Sequence, residues 1–158
     1  CTAGRNSFRG LALDAQLERS FPQRPVTFLA GLLAPILMLF HLVGPVPADL
    51  GVSKGELRAC KTTAHCAREV WASSDPTADF NKLNTLVRQM PRMVVVNERE
   101  AYFHAEASSA FFGFIDDLEV FADDDKSQIQ ARSESRIGDS DLGVNAARIS
   151  ELRSALER

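Results

Sequence analysis

Three groups of residues in this sequence have the types and spacings that chemistry requires. The first is Tyr102, His104 and Glu106, which alternate with Ala101, Phe103 and Ala105. A period of two puts the three polar side chains on one face of a strand. Arg132, with Gln130 beside it, alternates with Ile129 and Ala131 in a later run and can share that face. A His–Glu–Arg group can transfer protons or grip an anion. The reading favoured over this is a solvent-facing polar sheet surface whose charges pair with one another. No Ser or Cys sits in a nucleophile elbow, and no Gly-rich phosphate loop opens a helix. A hydrolase built on His104 and Glu106 is therefore the weakest of the functional readings.

The second group lies in residues 136–145, RIGDSDLGVN, just before a helical pattern. Arg136, Asp139, Asp141 and Asn145 there could form an anion or ligand loop, because N–H groups point outward at a helix start. The structural reading, which we favour, uses Gly138 and Gly143 for turns, Asp141 as a helix cap and Arg136 as a bridge to the acidic sheet. With Tyr102, His104, Glu106 and Arg132, these residues make up one candidate ligand or partner face.

The third group is Cys60-Lys-Thr-Thr-Ala-His-Cys66. Two thiolates and one imidazole fall short of a closed zinc shell, and no second Cys/His pair follows. In an oxidising compartment a disulfide closing this small loop is the simpler reading, with free thiols as the other alternative. The spacing is not that of the C-x-x-C thiol oxidoreductases. Asp116, Asp117, Asp123, Asp124 and Asp125 lack EF-hand spacing and read as a solvated acidic turn. No metal is expected.

These groups need elements to position them. The spacing of Phe80, Leu83, Val87 and Met90 after Pro76 predicts a helix over 76–90. Strand patterns follow at 92–97, 101–107, 111–121 and 126–134, joined by short polar links. Ile149, Leu152 and Leu156 predict a final helix over 142–157. The stretch 49–76 shows no regular apolar pattern. The expected fold is α+β: a four-stranded antiparallel meander with two helices on one face, preceded by one transmembrane helix.

That last element comes from residues 26–43, VTFLAGLLAPILMLFHLV, 18 residues without a charge. As a helix they span about 27 Å, near the hydrocarbon thickness of a bilayer. Pro25 suits the first turn, and Gly44-Pro45-Val46-Pro47 stops the helix. The domain division is a polar tail over 1–25, a transmembrane helix over 26–46 and a soluble α+β domain over 49–158. A buried core helix, or an export signal cleaved near Ala48, are the alternatives to an uncleaved anchor. Arg5, Arg9, Arg19 and Arg24 precede the span, which puts the N-terminus on the cytoplasmic or stromal side and the domain in a periplasm or lumen. Ala30, Gly31 and Ala34 would share a face for helix packing. His41 is a candidate tetrapyrrole ligand, its alternative being an imidazole at the interface. No other cofactor is expected.

Of the 18 basic and 21 acidic side chains, residues 49–158 hold 14 and 19. Such an acidic domain is poorly suited to a phosphate backbone, so nucleic acid is not an expected partner.

Several runs resemble a known family when taken together. LGVSKGELRAC, continuing to Cys66, is followed in order by MPRMVVV, YFHAE, FGFIDDLEVFADDD and ARSESRIGDSDLGVNAARISELR. This series is similar to the domain of unknown function 1499 over roughly residues 50–153. The family usually has Pro-Asn before its second Cys, where this chain has Ala64-His65. The stretch between Cys66 and the first helix is also shorter here. The resemblance implies the fold and an exported or lumenal setting, with members in bacteria and plastids, and supplies no activity. A start at Cys1 fits removal of a transit peptide or truncation. The reading adopted is a non-catalytic accessory subunit, anchored in a membrane and docked on a larger membrane complex. A photosystem or light-harvesting assembly in a thylakoid is the specific expectation, with chlorophyll as a neighbour of the span. A lumenal or periplasmic small-ligand binding module is the alternative.

Overall fold

The structure is a computed structural model that describes residues 43–158. The expected span, with Ala30, Gly31, Ala34 and His41, lies outside the described residues. Among the described residues, no helix is long and apolar enough to cross a membrane. Residues 43–46, the last four of the helix expected over 26–46, are not helical.

Two short strands, β1 (Val52–Ser53) and β2 (Glu56–Leu57), form a small antiparallel hairpin. They are followed by β3 (Cys66–Ala72), α1 (Pro76–Gln89), β4 (Met93–Arg99), β5 (Tyr102–Ser108), β6 (Ile115–Asp123), β7 (Gln128–Ser135) and α2 (Val144–Leu156). The main sheet is antiparallel in the order β3-β7-β6-β5-β4. It has five strands, not the four expected. The meander β4 to β7 is present, and β3 adds an edge by pairing with β7 from Cys66↔Glu134 to Ala72↔Gln128. The missed strand puts Glu69 among its core-side positions, between Ala67 and Trp71, which breaks the apolar alternation. Glu69 accepts a hydrogen bond from Trp71 Nε1 at 2.7 Å.

Both helices pack on one face. Phe80, Leu83 and Val87 of α1 and Ile149 and Leu152 of α2 meet Trp71, Phe103, Ala105, Leu118, Val120, Ala122, Ile129 and Ala131. α1 starts where Pro76 follows the cap Asp75, whose Oδ1 accepts from Ala78 N at 2.9 Å. β6 begins at Ile115, four residues later than expected. Ser109 N donates to Phe114 O at 2.9 Å, which closes a turn with Gly113 at φ 65°. Phe111 and Phe112 are left exposed on that turn.

The other face of the sheet is covered too. Residues 43–59 cross it as a strap, on which Leu57 is 2% exposed. Gly44 is buried at one end, and a Cβ there would come within 2.6 Å of Ile137 Cγ2 and 2.8 Å of Arg136 Cβ. That approach requires glycine.

Candidate functional site

β5 carries Tyr102, His104 and Glu106 on the strap-facing side, opposite the helices. In register, His104 faces Glu119 and Glu106 faces Asp117 on β6, and Glu119 faces Arg132 on β7. The sequence led us to expect a solvent-facing polar surface here. The structure buries it: His104, Asp117, Glu119, Gln130 and Arg132 are all at most 5% exposed. Buried charges must pair, and these do.

Two centres result. At the first, Glu119 Oε1 accepts from Tyr102 Oη at 2.9 Å and from Gly51 N of the strap at 2.7 Å. Glu119 Oε2 accepts from Arg132 Nη1 at 3.1 Å. Arg132 Nη2 and Arg58 Nη2 both donate to Glu134, so the strap is ion-paired to β7. Burial and then the Glu119 carboxylate push the Tyr102 phenol well above its ordinary range, so it is a neutral donor. At the second, Asp117 Oδ1 accepts from His104 Nε2 and Arg136 Nη2, each at 2.7 Å, and Oδ2 accepts from Arg136 Nε at 2.9 Å. Arg136 also donates to Glu106. Burial alone would raise the Asp117 carboxyl, but hydrogen bonds from His104 and Arg136 hold it below its ordinary value. Hydrogen bonding to Asp117 in turn raises the Arg136 guanidinium.

Gln130 locks the strap without charge. Its Oε1 accepts from Leu57 N at 3.0 Å, and its Nε2 donates to Gly55 O at 2.9 Å.

Asp141 and Asn145 belong elsewhere. Asn145 is fully buried on the helix side, where its Oδ1 accepts from Arg148 Nη1 at 2.7 Å and its Nδ2 donates to His65 O at 3.1 Å. Asp141 accepts from Gly143 N at 2.9 Å and Asn145 N at 2.8 Å. These two bonds hold its carboxyl below the ordinary value against the opposing effect of burial. Asp139 is exposed. The single candidate face is thus divided between the two sides of the sheet. Asp117, Glu119, Glu134 and Arg58 were not singled out as site residues. The signal for two of them was present: Asp117 and Glu119 alternate with Leu118 and Val120 inside the strand expected over 111–121, although Asp117 was also read as part of a solvated acidic turn.

Cys60 and Cys66 form a disulfide that ties the end of the strap to the start of β3. Neither sulfur is then a thiolate for zinc, and the described residues contain no group of His, Cys, Asp and Glu fit to hold a metal. Between the strap and β4–β6 lies a cleft of about 510 Å³, lined by Val46, Leu50, Asn97, Arg99, Tyr102 and His104 among others.

Residues 48–156 match the model of a family described as protein of unknown function (DUF1499). The chain belongs to that family. No curated protein and no solved structure matches it. The match begins within the strap and ends in α2, so the DUF1499 region includes both faces of the sheet and the strap–sheet lock.

The disulfide in this DUF1499 domain closes a loop of six residues' separation, which restricts the unfolded chain by about 2 kcal/mol. Urea unfolding of the Cys60→Ser/Cys66→Ser variant should show that loss, matched by wild type under reductant. Alkylation of both Cys60 and Cys66 in the unreduced protein would contradict the pairing.

Proposed function

We propose that this chain is a non-catalytic accessory subunit, anchored by its apolar segment and docked on a larger membrane complex. A thylakoid photosystem or light-harvesting assembly is the specific setting we put forward. One observation carries the non-catalytic part: the acid–base groups that the sequence marked are bonded to each other under the strap. His104 is engaged with Asp117, Glu106 with Arg136, and Tyr102 with Glu119. A general acid or base must reach a substrate proton, and these bonds hold the groups to one another. The same arrangement speaks against a hydrolase. Membrane attachment is supported by the 18 uncharged residues that end where the strap begins.

Solubilisation in mild detergent, followed by native gels and mass spectrometry, tests the reading. The chain should migrate with membrane proteins, and Ala30→Leu/Ala34→Leu should release it with its disulfide and fold intact. Migration alone before any substitution would defeat the proposal. It would promote the second reading, a lumenal or periplasmic binding module, which the cleft beside Tyr102 and Arg99 favours.

A further inference from the structure

Exposed valines are scattered over the strap and the edge strands, but among the described residues the exposed aromatic side chains all lie on the turn 109–114 at one end of the sheet. Phe111 is 85% exposed and Phe112 52%. Phe112 and Phe114 stack on each other with ring centroids 5.5 Å apart, so the turn presents a preformed aromatic surface. Burying such rings is favourable, and leaving several in water at a turn tip marks a contact site.

The chain path says what lies there. Ile115 O accepts from Arg136 N at 3.1 Å, so the turn 109–114 projects from the sheet end where residues 136–143 form their loop. Gly44 is buried against Arg136 and Ile137 at this same end. It follows directly on the 18-residue apolar run 26–43 and opens the Gly44-Pro45-Val46-Pro47 stop. Adjacent Cα atoms are about 3.8 Å apart, so an anchor formed by that run would leave the bilayer within a few residues of this end. Aromatic side chains favour that interface.

We propose that the turn bearing Phe111, Phe112 and Phe114 is a membrane-contact element that seats this end of the sheet in the lipid interface. This rests on the anchor reading above. Because the neighbouring loop carries Asp139 and Asp141, apolar burial drives the contact and anionic headgroups are not needed.

The test uses the full chain in phosphatidylcholine vesicles, with lipid brominated high in the acyl chains. Trp71, the native tryptophan, is buried toward the opposite end of β3 from Cys66 and serves as the unquenched control. Phe111→Trp should add emission that is shifted to the blue and largely lost to bromolipid, and Phe112→Trp should repeat this. Retention of the protein after an alkaline wash reports the anchor separately. Retained protein whose added emission is water-like and unquenched overturns the contact while the anchor stands, and leaves the patch to a protein partner. Blue-shifted but unquenched emission also overturns it, with the turn covered by the chain itself or by a second copy. Protein removed by the wash overturns both readings.

Discussion

Replacing Arg132 by Met is expected to cost the domain about 3–5 kcal/mol, the usual penalty for removing one partner of a buried ion pair. Arg132 and Glu119 are both 0% exposed. The methionine fills much of the space but leaves Glu119 charged with only the Tyr102 hydroxyl and Gly51 N–H to face it. Glu134 loses Arg132 and keeps Arg58. Domains of this size are stable by roughly 5–15 kcal/mol, so the variant should sit close to unfolding at ambient temperature. Urea denaturation followed by far-ultraviolet circular dichroism reads the change. Adding Glu119→Gln should recover part of the loss by removing the orphaned charge. A single variant with an unshifted midpoint would mean that the pair contributes nothing.

Asp117→Asn should cost about 3 kcal/mol at neutral pH, and the cost should shrink in acid. Its carboxylate receives three hydrogen bonds from His104 and Arg136. An amide offers one oxygen where two accepted and turns a donor toward the guanidinium. The sign of the pH effect follows from the depressed carboxyl in the fold. Such a group contributes stability that is fully present above its unfolded value, about 3.9. That contribution is lost as pH falls through the lower folded value. Wild type should therefore lose stability on acidification below about pH 4 more steeply than the variant does. Unfolding midpoints compared at neutral and acid pH decide the matter. A gap of constant size would show that Asp117 titrates alike in both states.

The helix expected over 76–90 was legible because Pro76, Phe80, Leu83 and Val87 encode start and face locally, and α1 occupies Pro76–Gln89. The strand at Cys66–Ala72 was not, since it exists by pairing with β7, and its core side includes Glu69, satisfied by Trp71 Nε1. The common face of Tyr102, His104, Glu106 and Arg132 follows from a period of two. Its burial does not, because the strap bonds through side chains such as Gln130 that carry no local pattern. Asp141 and Asn145 looked like members of the same face in one dimension. A loop turns the chain between Arg136 and Asn145, and it carries them to opposite sides of the sheet.

The strap also sets an order of events for a chain that grows from its N-terminus. Gly51, Leu57 and Arg58 find Glu119, Gln130 and Glu134 across separations of 68, 73 and 76 residues. Their partners do not exist when they leave the ribosome. β3 waits as well, because Cys66 pairs with Glu134. Closing such distant contacts is entropically expensive and slow. Until β7 has been made, Tyr102, His104, Asp117 and Glu119 of the future interior stay wet, which keeps the nascent polypeptide unlocked. Completion of a single late strand then lets both the edge and the cover snap into place together.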